Sequence, residues 1–121
     1  MGLFDVFKKD TPQPTKSDSP IRNIDLFVEN NLKGIELEKN GKIDEAIKLY
    51  ENNVKNSFDG NHPYDRLAII YRKRKDYNNE IRVLQSAIDT FEKISPDRRD
   101  VAPKLLKFKK RLAKAKELND N

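Results

Sequence analysis

The sequence predicts an all-α protein, and two observations carry that prediction. Apolar residues recur at spacings of three and four from Ile24 to Ala115, the period of a helix with one buried face. Proline, glycine and asparagine then cut this stretch into helix-length pieces, none of which shows the apolar–polar alternation of a strand.

The elements follow in order. Ile24, Phe27, Val28, Leu32, Ile35 and Leu37 are the apolar positions of a first helix, which Asn40–Gly41 stops. Ile43, Ala46, Ile47, Leu49, Tyr50 and Val54 mark a second, ending in a loop from Asn56–Ser57 to Asp59–Gly60. Pro63 opens a third, because a first turn needs no N–H from it, and Tyr64, Leu67, Ala68 and Tyr71 stripe that helix. Asp76 reads as the N-cap of a fourth, carrying Tyr77, Ile81, Val83, Leu84, Ala87, Ile88 and Phe91. Ser95–Pro96 closes it and starts a terminal helix over 96–118, with Val101, Leu105, Phe108, Leu112 and Ala115 on one side. Lys104, Lys107, Arg111 and Lys114 take the other side. Pro103 leaves two readings: a helix beginning at Val101 with Asp100 as N-cap, or a longer helix kinked at Pro103, which is the one favoured.

These helices make one domain, 21–121. Residues 1–9, MGLFDVFKK, form a short amphipathic segment expected to be a frayed terminus, so short a helix being marginal alone, with contact with a membrane surface or folding back on the protein as the alternatives. It lacks the h-region and small-residue site of a secretory signal, and Val6 stands where myristoylation wants Ser or Thr. Residues 10–20, with Pro12, Pro14 and Pro20 among Ser, Thr and Asp, have no apolar face to bury and read as a disordered linker.

Composition narrows the function. The chain has 121 residues, room for a single domain, and 36% hydrophobic against 37% charged residues leaves a thin core. No apolar run is long enough to span a bilayer, and the expected address is the cytoplasm. With no cysteine, disulfides, thiolate metal sites and thiol catalysis are excluded, and with one histidine and no His/Cys cluster a zinc site is not expected. No phosphate-binding loop, nucleophile elbow or HExxH motif is present. The pairs Glu36/Glu38 and Asp44/Glu45 lie among Lys39, Lys42 and Lys48 and read as solvated surface. His62, at a helix start, reads as a surface or cap residue. The chain is therefore expected not to be an enzyme, and no cofactor is expected.

Self-comparison reveals a repeat. A shift of 34 residues lays Gly34 on Ala68, Leu37 on Tyr71, Ile43 on Tyr77, Ile47 on Ile81, Tyr50 on Leu84 and Val54 on Ile88. A further shift takes Leu67, Ala68 and Tyr71 onto Val101, Ala102 and Leu105. What recurs is size and polarity rather than identity. With Gly34, Gly41 and Ala46 in one unit and Tyr64, Leu67, Ala68, Tyr71, Tyr77 and Ala87 in the next, the chain resembles the tetratricopeptide repeat, a helix–turn–helix unit of this period. It departs from that pattern at Asn30 and Lys33, where large apolar residues are usual, at Glu80, where a small one is, and in lacking the closing proline.

The resemblance implies a short right-handed superhelix of two such repeats, sealed by a C-terminal capping helix. It also implies a concave groove lined by the first helix of each repeat. Here those positions carry Val28, Asn31, Ile35, Glu38 and Lys39, then His62, Asp65, Ile69, Arg72 and Lys73, with Arg66 beside them. The partner-binding residues expected on this basis are Asn31, Ile35, Lys39, Asp65, Arg66, Ile69, Arg72 and Lys73. The expected activity is that of an adaptor: apolar contacts at Ile35 and Ile69 and cations at Arg66, Arg72 and Lys73 suit a peptide or partner segment with acidic groups. The family's carboxylate clamp is not matched, since its offsets hold Asn31, Ile35, Arg66, Pro96 and Asp100. Ile69 lies in the run Leu67–Tyr71, apolar on nearly every side, so core burial remains an alternative for it.

Charge supplies a second function. The basic excess lies in residues 101–121, seven lysines and arginines against two acids. Lys104, Lys107, Lys109, Lys110, Arg111 and Lys114 form an alternative surface for nucleic acid or another polyanion, although no aromatic platform accompanies them. The run Arg72-Lys73-Arg74-Lys75 is no such patch, since successive helical residues point apart. Glu80 either points between the helices of its hairpin, where it needs a cation and Arg66, Arg98 and Arg99 are the candidates, or is left in water by a slight rotation of its helix. The expected assembly is a monomer or a weak homodimer.

Overall fold

The computed structural model describes residues 20–94 and 97–120, with side chains from Asp25 onward. The amphipathic segment, the linker and the Ser95–Pro96 boundary lie outside the described residues. Among those described, the protein is all-helical. Its elements are α1 (Pro20–Lys39), α2 (Ile43–Lys55), α3 (His62–Lys73), α4 (Tyr77–Glu92) and α5 (Val101–Asp120). None of them is long and apolar enough to cross a membrane.

Each helix packs on its neighbour in sequence, and α2 also touches α4. Turns of three residues join α1 to α2 and α3 to α4, and turns that short fold a helix back along its predecessor. The two turns share their backward backbone bonds at an offset of 34, although the bond from Asn40 N–H to the Leu37 carbonyl has no counterpart in the second. Gly41 and Lys75 both take the left-handed conformation, at φ 77° and 60°. Lys42 N–H reaches back to the Leu37 carbonyl at 2.9 Å, and Asp76 N–H to the Tyr71 carbonyl at 2.9 Å. Such backward bonds satisfy the carbonyls that a helix end leaves open. Lys42 and Asp76 then enter the next helix with nearly the same dihedrals (φ −91°, ψ 65° and 72°), and the expected cap at Asp76 accepts from Asn79 N–H. The two turns are thus alike in backbone geometry at the spacing of 34 residues found in the sequence.

Inside the hairpins, side-chain size is traded between equivalent positions. A Cβ on Gly34 would lie 2.5 Å from the Tyr50 ring. The missing side chain therefore makes room for a tyrosine that is fully buried. At the corresponding positions of the second hairpin stand Ala68 and Leu84, both buried, a slightly larger residue facing a smaller one. The first hairpin is also held by a polar network that the apolar pattern does not reveal. Asn53, fully buried, donates to Asn31 Oδ1 at 2.8 Å and to the Phe27 carbonyl at 2.9 Å, and accepts from Asn30 at 3.1 Å. The second hairpin has Ala87 at that position, and Ala87 is fully buried too.

Helix α5 closes the core. Tyr64, Phe91 and Phe108, from α3, α4 and α5, meet edge to face with ring centroids 5.5–6.3 Å apart. Val101, Phe108, Leu112 and Ala115 are buried with Leu105 packed against the core, as the helical spacing predicts. Two expectations fail here. The helix starts at Val101 rather than at residue 96 and extends to Asp120, and Pro103 does not kink it. Proline sits in the first turn, where its absent N–H has no helical acceptor and its ring meets no earlier turn. The third register of the repeat also lapses, because Ala102 is exposed where Ala68 is buried.

At the other end α1 begins at Pro20, a residue assigned to the linker by composition but suited to a first helical position.

Candidate functional site

Helix α3 runs between the two halves of the fold, and its outward face is the candidate site. Helical spacing turns Tyr64, Leu67, Ala68, Ile70 and Tyr71 inward, all buried. It leaves Asp65, Arg66, Ile69, Arg72 and Lys73 on the outer side. Ile69 is 37% exposed, which decides against its being core.

The arginines on this face are occupied. Arg66 grips Glu38 of α1 through two bonds, Nη2 to Oε1 at 2.6 Å and Nε to Oε2 at 3.1 Å, and the Tyr50 hydroxyl donates to the same carboxylate at 2.6 Å. Burial opposes the charge of Glu38, but the bonds from Arg66 and Tyr50 outweigh it and its pKa lies below the ordinary value. Burial, and then this bond to Glu38, push the Tyr50 hydroxyl well above its ordinary range. The Glu36/Glu38 pair is therefore not uniformly solvated surface: Glu38 is a structural counter-ion between the hairpins.

Arg72 binds Glu80 of α4, Nε to Oε2 at 2.8 Å. Glu80 is only 2% exposed, and its second oxygen has no partner among the described residues. Of the two placements open to Glu80 the structure has the buried one, and its partner is none of the three expected. Arg66 faces α1 instead, and Arg98 sits at the far end of α4, bonded to Asp100 and Asp59. The turn at 74–76 is what brings the last turn of α3 beside the first turn of α4. On the same side, Asp65 pairs with Arg111 of α5 and accepts from Asn61.

These three pairs fasten α3 to α1, α4 and α5. They leave Ile69 and Lys73 as a free ridge, and Lys73 and Lys39 are exposed without a partner among the described residues. A recess of about 290 Å³ lies on one flank of the ridge, lined by Ala68, Ile69, Arg72, Lys73, Glu80 and Arg111. A second of about 280 Å³ lies on the other, between Glu38, Ile43, Arg66, Ile70, Lys73 and Arg74. Lys73 borders both. Ile35 is half-buried and Val28 exposed on α1. Asn31 departs from its expected role: it is buried and spent on Asn53, so it belongs to the hairpin and not to a binding surface.

No protein-family model, no curated protein and no solved structure matches the chain. The site must be read from its own chemistry.

His62 lies half-buried against the Tyr50 ring, with centroids 5.4 Å apart. Its Nε2 is buried with no hydrogen-bond partner among the described residues, and burial holds its pKa below the ordinary value, with Arg66 adding to the effect. It is neither the surface residue nor the cap contact expected of it. The basic α5 surface is also largely committed. Lys104 bonds Asp100 at 2.9 Å and lies over the Phe91 ring, Lys109 faces Glu92 at 3.6 Å, Lys114 faces Glu117 at 3.2 Å, and Arg111 holds Asp65. Lys107 and Lys110 are left unpaired among the described residues.

One feature went unseen in the sequence. A polar recess of about 460 Å³ between α2 and α4 is bordered by Glu51, Lys55, Arg82, Asp89, Thr90 and Lys93, among others. At its edge Arg82 and the Tyr71 hydroxyl both bind Glu51. These residues are 20 and 31 positions apart, and no local pattern links them.

Proposed function

We propose that the chain is a non-enzymatic adaptor of the tetratricopeptide-like kind, which binds a peptide or partner segment across α1 and α3. The observation that carries this reading is the ridge of Ile69 and Lys73, flanked by two recesses and set on a helix fastened on both sides. A pre-fastened surface loses little entropy when a ligand settles on it. Apolar contacts at Ile69, Ile35 and Val28 supply affinity, and Lys73 and Lys39 draw acidic groups. Arg66 and Arg72 hold the floor in place, because a ligand reaching them would have to displace Glu38 or Glu80. The likeness of the two turns at an offset of 34 supports the repeat architecture. So does the place of α5, whose Phe108 and Arg111 meet α3 beside Tyr64 and Asp65, as the first helix of a further repeat would.

The test is a selection of displayed peptides on the full chain, followed by binding titrations against Ile69→Glu and Lys73→Glu variants. Selected peptides should combine acidic and apolar residues, and each variant should bind about tenfold or more weakly. Peptides that bind both variants as tightly as the unaltered chain would refute the reading. Affinity that falls steeply with salt and selects polyphosphates instead would favour the basic face of α5.

A further inference from the structure

The packing order places α1 and α5 at opposite ends of the structure, and the two ends differ in chemistry. On α1, Asp25, Glu29, Leu32 and Glu36 follow the spacing of one helix face, and all four are exposed. The three carboxylates have no partner among the described residues. On α5, Ala102, Leu106, Lys109, Ala113 and Lys116 share a face in the same way and are likewise exposed, Lys109 lying 3.6 Å from the equally exposed Glu92 and Lys116 having no partner among the described residues. Leu32 and Leu106, at 63% and 56%, are the most exposed large apolar side chains among the described residues. Each sits within its own stripe. Beside Leu106 an apolar recess of about 290 Å³ is lined by Phe91, Ile94, Val101, Ala102 and Leu105, with Glu92 at its edge.

We propose that copies of this chain associate head to tail, α1 of one copy lying along α5 of the next. The acidic stripe meets the basic one: Glu29 and Glu36 share the spacing of Lys109 and Lys116, and Leu32 between them falls at Ala113, whose small side chain lets the helices approach closely. The occupant is a second copy because its own far end presents the complementary charges at the same helical spacing, with Leu32 set opposite Ala113. Two different surfaces meet, so the contact is heterologous and each added copy exposes a fresh end. The product is a short open chain whose length grows with concentration.

Sedimentation of the full chain from micromolar to millimolar concentration, at low and at moderate salt, tests this. The average mass should rise past that of a dimer, and more so at low salt, where exposed charges are less screened. Reversing one end, Glu29→Lys with Glu36→Lys, should weaken association about tenfold or more, and so should Lys109→Glu with Lys116→Glu. A chain carrying all four reversals presents complementary ends again and should regain association. All these side chains are exposed, and thermal melts followed by circular dichroism check that each variant folds. A chain that stays monomeric throughout, a mass that stops at the dimer, association indifferent to both reversals, or no recovery in the fourfold variant would each overturn the proposal.

Discussion

Replacing Gly34 by alanine tests the size trade inside the first hairpin. In an exposed helix this change gains about 1 kcal/mol of propensity. Here the new Cβ would lie 2.5 Å from Tyr50 Cε1, a distance that cannot be kept. Tyr50 has no easy escape, since it is fully buried and its hydroxyl is bonded to Glu38, itself gripped by Arg66. Overpacking of this kind costs about 1–3 kcal/mol, and with the hairpin pinned at both ends the net expectation is a loss of about 1–2 kcal/mol. For a domain of this size that is a fall of about 5–10 °C in Tm. The second hairpin suggests the remedy, because it holds alanine and leucine at the corresponding positions. In a Tyr50→Leu background the same glycine change should therefore cost about 1–2 kcal/mol less, a coupling that a double-mutant cycle reads directly. A Gly34→Ala protein that melts about 1 kcal/mol higher, as an exposed helical site would, refutes the close approach of α1 to α2.

Other perturbations follow from the same geometry. Lys75 stands in the left-handed conformation that glycine fills at position 41, so Lys75→Gly should stabilise by up to about 1 kcal/mol in urea unfolding; a loss of stability would mean that the turn is not held there. Glu80→Ala leaves Arg72 without its bond and opens a buried space, and should cost about 2–3 kcal/mol, whereas a surface-like cost would show that Glu80 is wet. The folded pKa of His62 lies below 6.5 and that of Glu38 below 4.5. As pH falls through these values the unfolded chain takes up protons that the folded chain refuses, so stability declines. Tyr50 and Tyr71 are raised above 10 by burial and by their carboxylate partners, so stability also declines above pH 10. Denaturant midpoints should therefore plateau between about pH 6.5 and 10, and His62→Phe should flatten the limb just below 6.5.

Much of this fold is written in local patterns. The turn at Gly41, the cap at Asp76 and the inward stripe of α5 depend on neighbours within a few residues, and the sequence carries them openly; the turn at Lys75 is hidden, because a run of lysine and arginine reads as helix while Arg74 and Lys75 lie past its end. The 34-residue period was legible because core size and polarity recur even where identities do not. The buried Asn53 network was not, since Asn31 and Asn53 are 22 residues apart and asparagine ordinarily marks a surface or a turn. The groove was legible as a face but not as a set of free donors. Which arginine stays available depends on where acids from other helices arrive, and Glu38, Glu80 and Asp65 claim three of them. Pro103 was misjudged because its effect depends on its distance from a helix start that the sequence marks only weakly.

Hydrogen–deuterium exchange of the full chain, with and without a saturating selected peptide, bears most directly on the role assigned to α3. Slowed exchange should centre on α1 around Ile35 and on α3 around Ile69 and Lys73, with the backbone of α2 and α4 changed far less. Protection confined to α2 and α4, along the recess bordered by Glu51 and Lys93, would contradict it.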